Sequence, residues 1–171
     1  MPSTLILLAD LKAFIHMGEV HDDVLLQSII DGTQAEIEQR IGQSLEEATI
    51  DPEYHDGDRS NTILLDNGCV TAVTYVKIDD VELDADDYEW YPIGEIIRYN
   101  GYFYKSLKNI KVKYTHGYTA VTLPADLKLA MLKAMSNAYH GTLVIQEIEG
   151  SPKIYSQREI DLVIGKYVRL L

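Results

Sequence analysis

The apolar residues of this chain change their period twice, and that change fixes the class of fold it can adopt. From Thr4 to Ile41 they recur at helical spacing, from Ala48 to Tyr118 they alternate, and from Ala125 onward the helical spacing returns. A helix groups residues three and four apart on one face, whereas a strand groups every second residue. One period cannot serve the other element. The chain is therefore expected to be α+β, with about four helices in a small bundle and an antiparallel β module inserted between the second and third. The expected division is 1–46 for the N-terminal helices, 47–120 for the inserted module and 121–171 for the C-terminal helices.

Local signals place the elements. Thr4 to Ile15 reads as a short helix, with Leu8, Leu11 and Ile15 on one face, Ser3 or Thr4 as its cap and Gly18 as its stop. Asp22 and Asp23 open a second helix whose stripe runs Leu25, Leu26, Ile29, Ile30, Thr33, Ile37, Ile41 to a stop at Gly42. In the middle region, short alternating runs are expected at 62–65, 71–78, 81–83, 88–91, 95–99 and 109–116. Asp66-Asn67-Gly68, Asp79-Asp80 and Asn100-Gly101 turn between them. Ile110, Val112 and Tyr114 alternate with Lys111, Lys113 and Thr115, which predicts one wet sheet face or a protected edge. Pro124 precedes a helix over 125–140 that buries Leu127, Met131, Met135 and Ala138. A last helix is expected from Gln157 to Leu170, after a loop over 142–156 that is the expected mobile segment.

Charge excludes some functions. The chain has 27 acidic and 15 basic residues in 171, a net charge of −12. Residues 47–100 hold 14 acids against 3 bases, while residues 101–120 hold Lys105, Lys108, Lys111 and Lys113 and no acid. A surface of that sign repels duplex DNA and gains nothing from counterion release. Cys69 is the only cysteine, so no disulfide within the chain is possible. The stretch to Phe14 is too short and too charged for a leader or membrane span, and a soluble chain that does not enter a membrane is expected. Twelve tyrosines against two phenylalanines supply aromatic area with a polar tip, a composition that suits strands and half-buried or interface positions.

Sequence signals of chemistry are weak. His16 and His21 stand five apart around Gly18 and do not share a helix face, so no metal site is expected there. Asp56-Gly57-Asp58 resembles the start of a calcium loop, but the sixth and twelfth places hold Asn61 and Asn67 instead of Gly and Glu. Asp84-Ala85-Asp86-Asp87 reads as a solvated turn. Phosphate-binding and dinucleotide glycine patterns and a nucleophile elbow are lacking. No catalytic residue, metal or cofactor is expected, and the chain is expected not to be an enzyme.

The order of these pieces resembles the head–tail connector family of long-tailed phages, the adaptor or head-completion proteins. Leu8-Ala9-Asp10-Leu11-Lys12-Ala13-Phe14-Ile15 is similar to the family's opening helix, and Asp22-Asp23-Val24-Leu25-Leu26 with Ile29-Ile30 to its second. Val70 to Val73, Ile78 to Leu83 and Asp87-Tyr88 resemble the β insertion of the larger members. Tyr114 to Tyr118 followed by Leu123-Pro124-Ala125-Asp126-Leu127-Lys128, and the closing Tyr167-Val168-Arg169-Leu170, resemble the rest. Cys69 stands where the family's insertion usually has Pro, and Asp80 where many members have Gly.

The resemblance implies a structural subunit that forms a dodecameric ring beneath the portal and receives the next neck or tail-completion protein. Its place would be the virion's head–tail interface, after assembly in the host cytoplasm. DNA would pass through the channel without specific binding; purified protein that retards duplex DNA at physiological salt would contradict this. For a ring, Trp90, Tyr91, Tyr102, Phe103 and Tyr104 of the insertion are expected to project towards a neighbour, with Tyr167 and Arg169 at the C-terminal end of the subunit interface. Other readings are a tail or neck terminator, a generic binding module, and, further off, a metal-dependent hydrolase using the many carboxylates.

Overall fold

Two hydrophobic periods give two units in the computed structural model, which describes residues 5–16, 23–143 and 155–168. Met1–Gln43 and Thr119–Leu171 form a helical unit, and Ser44–Tyr118 a β unit. Ser3, Thr4, Gly18, His21, Asp22 and Arg169 lie outside the described residues, as does most of the loop expected over 142–156.

In the helical unit, α1 spans Leu8–Phe14, α2 Asp23–Ile41, α3 Ala125–Leu143 and α4 Gln157–Ile164. The buried face of α2 is Leu26, Ile30, Gln34, Ile37 and Ile41, the three-and-four spacing the sequence carries. Leu127, Met131 and Met135 of α3 and Ile160 and Ile164 of α4 are buried likewise. Each such side chain contributes roughly 1.5–3 kcal/mol when fully buried. Exposed pairs such as Arg40–Asp161, at 2.9 Å, orient helices and contribute little. Gly42 closes α2 at φ +82°, with its N–H on the Glu38 carbonyl.

Three expectations need correction. The first helix begins at Leu8, not Thr4, because Leu5 and Ile6 are buried in a bend ahead of it and Leu7 is extended. Ala138 is exposed, since the buried side of α3 passes through Met135, Ser136 and Tyr139. The last helix stops at Ile164 and not at Leu170. Gly165, unfavourable inside a helix by about 1 kcal/mol relative to Ala, sits at its C-cap.

The β unit has seven strands: β1 Ala48–Gly57, β2 Thr62–Leu64, β3 Val70–Ile78, β4 Val81–Glu82, β5 Tyr88–Trp90, β6 Glu95–Arg98 and β7 Ser106–His116. They form two antiparallel sheets, of order β1-β7-β3-β4 and β2-β6-β5. One core lies between them, built from Ile63 and Leu65, Val70, Val76 and Ile78, Ile96, Phe103, and Ile110, Val112 and Tyr114. On the outer face of the larger sheet three lysines are paired: Lys77 with Glu82, Lys111 with Asp80, Lys113 with Asp51. The alternation in β7 thus gives a wet face laced with ion pairs. Asp79 and Asp80 turn the β3–β4 hairpin with φ of +49° and +66°, the left-handed pair that such a two-residue turn requires.

β1 is the strand that the sequence reading lacks. Asp51-Pro52 lies in its middle, and a proline normally argues against a strand. Here β1 is an edge strand, and its register against β7 shifts between Ile50 and Glu53, so Pro52 sits where the ladder is already interrupted.

Candidate functional site

The chain enters the β unit beside the place it leaves it: Glu47 and Tyr118 are joined by a backbone hydrogen bond of 2.9 Å at the C-terminal end of β7. At the other end of this eleven-residue strand, about 30 Å away, three connections converge. They are the 58–61 loop after β1, the Asp79-Asp80 turn and the 99–105 loop between β6 and β7. This tip is the candidate site.

The 99–105 loop is held from several sides. The Phe103 N–H donates to the Ser60 carbonyl and the Arg59 N–H to the Phe103 carbonyl, both at 2.8 Å. The Gly57 N–H donates to Asn109 Oδ1 at 2.9 Å, and Asn109 Nδ2 to the Tyr104 carbonyl. A Cβ on Gly57 would lie 1.9 Å from that carbonyl oxygen, so only glycine lets β1 and the loop approach this closely. Arg98 donates from Nη1 to the Tyr102 carbonyl at 3.0 Å, beneath Gly101 at φ +114°.

The aromatic residues expected to project do not all do so. Tyr102 and Tyr104 are 65% and 56% exposed. Phe103 between them is fully buried and belongs to the β core, so it is not a docking residue. The ring without a hydroxyl takes the inner place, and the two phenols keep theirs towards solvent. Trp90 is half-buried against the same core. Tyr91 is exposed and shares Glu89 with Tyr99: the two phenols donate to its Oε2 at 2.9 and 2.8 Å. These bonds, that of Tyr99 first, hold the Glu89 carboxyl below its ordinary range and raise both phenols. Tyr167 belongs to the helical unit, half-buried, and donates to Asp126 Oδ1 at 2.6 Å. That bond leads the causes that depress the Asp126 carboxyl.

A buried polar cluster went unread in the sequence. Glu53 on β1 accepts from His55 Nε2 at 2.5 Å, from the Asp66 N–H at 2.8 Å and from the Tyr114 hydroxyl on β7. Asn67 Nδ2 donates to the same hydroxyl at 3.0 Å. Burial alone would raise the Glu53 carboxyl, but the hydrogen bonds from His55, Tyr114 and the Asp66 N–H outweigh it and hold the carboxyl below its ordinary range. Burial, then the hydrogen bond to Glu53, raise the Tyr114 phenol well above its ordinary value. The neighbouring His116 ring is buried with Nδ1 unpartnered, and burial lowers its pKa. The cluster pins an edge strand to the sheet centre. A strand residue just after a proline gives no local hint of a partner 61 positions away.

Among the described residues, no group of three or more His, Cys, Asp or Glu side chains could hold a metal ion. No described helix is long and apolar enough to cross a membrane. At the tip the rings of Tyr102 and Tyr104 are exposed.

The model of a family described as "Head completion protein" matches residues 4–136. Several solved structures resemble nearly the whole chain. One is a chain from the neck of an empty gene transfer agent (GTA) particle computed with C6 symmetry, 16% identical with a TM-score of 0.68 over 99% of this chain and 92% of that one. A chain from the virion of a native GTA particle is 16% identical with a TM-score of 0.64, over 98% and 91%. A third, from the neck of a native GTA particle computed with C12 symmetry, is 16% identical with a TM-score of 0.62, over 100% and 95%. At such identity the likeness establishes the fold. No curated protein matches the sequence.

Proposed function

Because the chain belongs to the head completion protein family, its role is structural, in the neck between head and tail, and on that premise we propose that it is a connector subunit forming a ring beneath the portal. The observation that carries this reading is the extent of the family match, which runs from the first helix through the β unit into α3. The ring, twelve-membered by the resemblance, extends the DNA channel and offers its free face to the next neck or tail-completion protein. The computed C6 and C12 symmetries of the similar neck structures support a ring.

The role is non-catalytic in this reading. It needs contact surfaces, and the β tip, with Tyr102 and Tyr104 held outward by the buried Phe103, supplies one. Tyr91 lies on the same unit, and Tyr167 and Arg169 serve the helical unit's contacts. The acidic balance of the chain suits a channel wall, because a negative surface lets phosphate slide past without sticking. The subunit acts in the virion neck after assembly in the host cytoplasm.

Deletion of the gene from the phage or prophage that encodes it tests the role. The expected result is heads and tails that accumulate unjoined, with infectious or transducing titre restored by the gene in trans. Normal joined particles from the deletion strain would overturn the proposal.

A further inference from the structure

Resting on the ring reading above, we infer that neighbouring copies of this chain meet through the tips of their β units, the basic edge of one against the acidic edge of the next. A closed ring of identical subunits needs two different patches on each subunit that fit one another. The tip carries such a pair.

The sheet order sets the two edges apart. In the larger sheet β1 and β4 are the outer strands, with β7 and β3 between them. Three strand spacings separate them, roughly 14 Å. In the smaller sheet β2 and β5 are outermost. The chain arrives at β2 from the 58–61 loop and at β5 from the acidic 84–87 turn, so the two sheets divide their loops alike.

On the β1 side, Arg59, Lys105 and Lys108 are exposed and carry no ion pair within the described residues. The lysines of the sheet face have already taken Asp51, Asp80 and Glu82, which leaves Arg59, Lys105 and Lys108 unspent at this edge. Asp56 and Asp58 share it and offset part of its charge. They are engaged locally, accepting the N–H groups of Lys108 and Ser60. On the β4 side the exposed, unpaired groups are acids, Asp79, Asp84 and Asp86. Each edge also offers apolar area to a partner: Leu107 is 83% exposed on the first, and Val81 is 68% exposed on the second. Apolar anchors within a polar rim are what a protein interface requires. Unlike edges attract, whereas like edges cost several kcal/mol when forced together.

Two reversal variants test this, assembled on the portal protein of the same phage and imaged by negative stain, with thermal melts to check folding. Lys105→Glu with Lys108→Glu makes both edges acidic, and Asp84→Lys with Asp86→Lys makes both basic. Each alone is expected to give at least about tenfold fewer ringed portals than wild type, the equivalent of about 1.4 kcal/mol. An equimolar mixture is expected to restore rings, because an even-numbered ring can alternate the two and make every contact complementary. Either variant ringing the portal as well as wild type overturns the inference. So does a mixture no better than its components, which assigns the tip to a different partner. Wild-type protein that fails to ring the portal strikes the connector reading itself, which separates the two failures.

Discussion

Glu53→Ala is expected to destabilise the protein by about 3 kcal/mol, within the range for removing one member of a buried charged cluster. Glu53 is nearly inaccessible, and its carboxylate serves the His55 ring, the Asp66 N–H and the Tyr114 hydroxyl together. Alanine leaves all three without that acceptor and detaches the β1 edge from β7. For a chain of this length the loss corresponds to a fall in melting temperature of about 10 °C. A control at exposed Glu47 should stay within about 0.5 kcal/mol. A Glu53→Ala shift as small as the control's would show that the cluster is incidental.

The same cluster sets a pH dependence. The folded-state pKa of His116 is depressed below its ordinary 6.5, so the unfolded chain takes up that proton first and stability falls as pH drops below about 6.5. The folded-state pKa of Glu53 is depressed below 4.5, so its contribution is present above that value and is lost as pH falls through the lower folded one. Both slopes have the same sign. Wild-type melting temperature should therefore decline on acidification, in an upper step due to His116 and a lower step to which buried Glu53 contributes beside the exposed depressed carboxyls of Asp51, Asp80, Glu89 and Asp126. His116→Phe should remove the upper step, and Glu53→Gln should flatten the lower one.

The second large effect belongs to Phe103. Its ring is fully enclosed by the β core, and Phe103→Ala is expected to cost about 3–5 kcal/mol through lost burial and the cavity left behind. Tyr102→Ala, on the neighbouring exposed residue, should leave stability within about 0.5 kcal/mol and reduce assembly instead. Melts and portal-binding measurements on the two variants separate core from contact. Phe103→Ala that melts like wild type would contradict the assignment of this ring to the core.

These residues also show where sequence reading works. The stripe in α2 and the alternation in β7 were legible because burial along a regular element repeats with the element's own period. The tip was legible as a place, from Asn100-Gly101 and the aromatic run, but not side chain by side chain. Tyr102, Phe103 and Tyr104 look alike in composition, and the middle one is anchored inward by backbone bonds to Arg59 and Ser60, far earlier in the chain. β1 stayed hidden because Pro52 speaks against a strand, while the register shift that accommodates it depends on β7, sixty residues later. The Glu53–Tyr114 and Tyr167–Asp126 bonds span 61 and 41 residues, distances over which local patterns carry no information.

The measurement that tests the neck assignment most directly is co-assembly. Wild-type protein is mixed with the portal of the same phage, and the product is imaged by negative-stain electron microscopy. The account predicts an added ring stacked on the portal and coaxial with its channel. Portals that remain bare at saturating protein, with the chain found at the far end of the tail in intact virions, would contradict it.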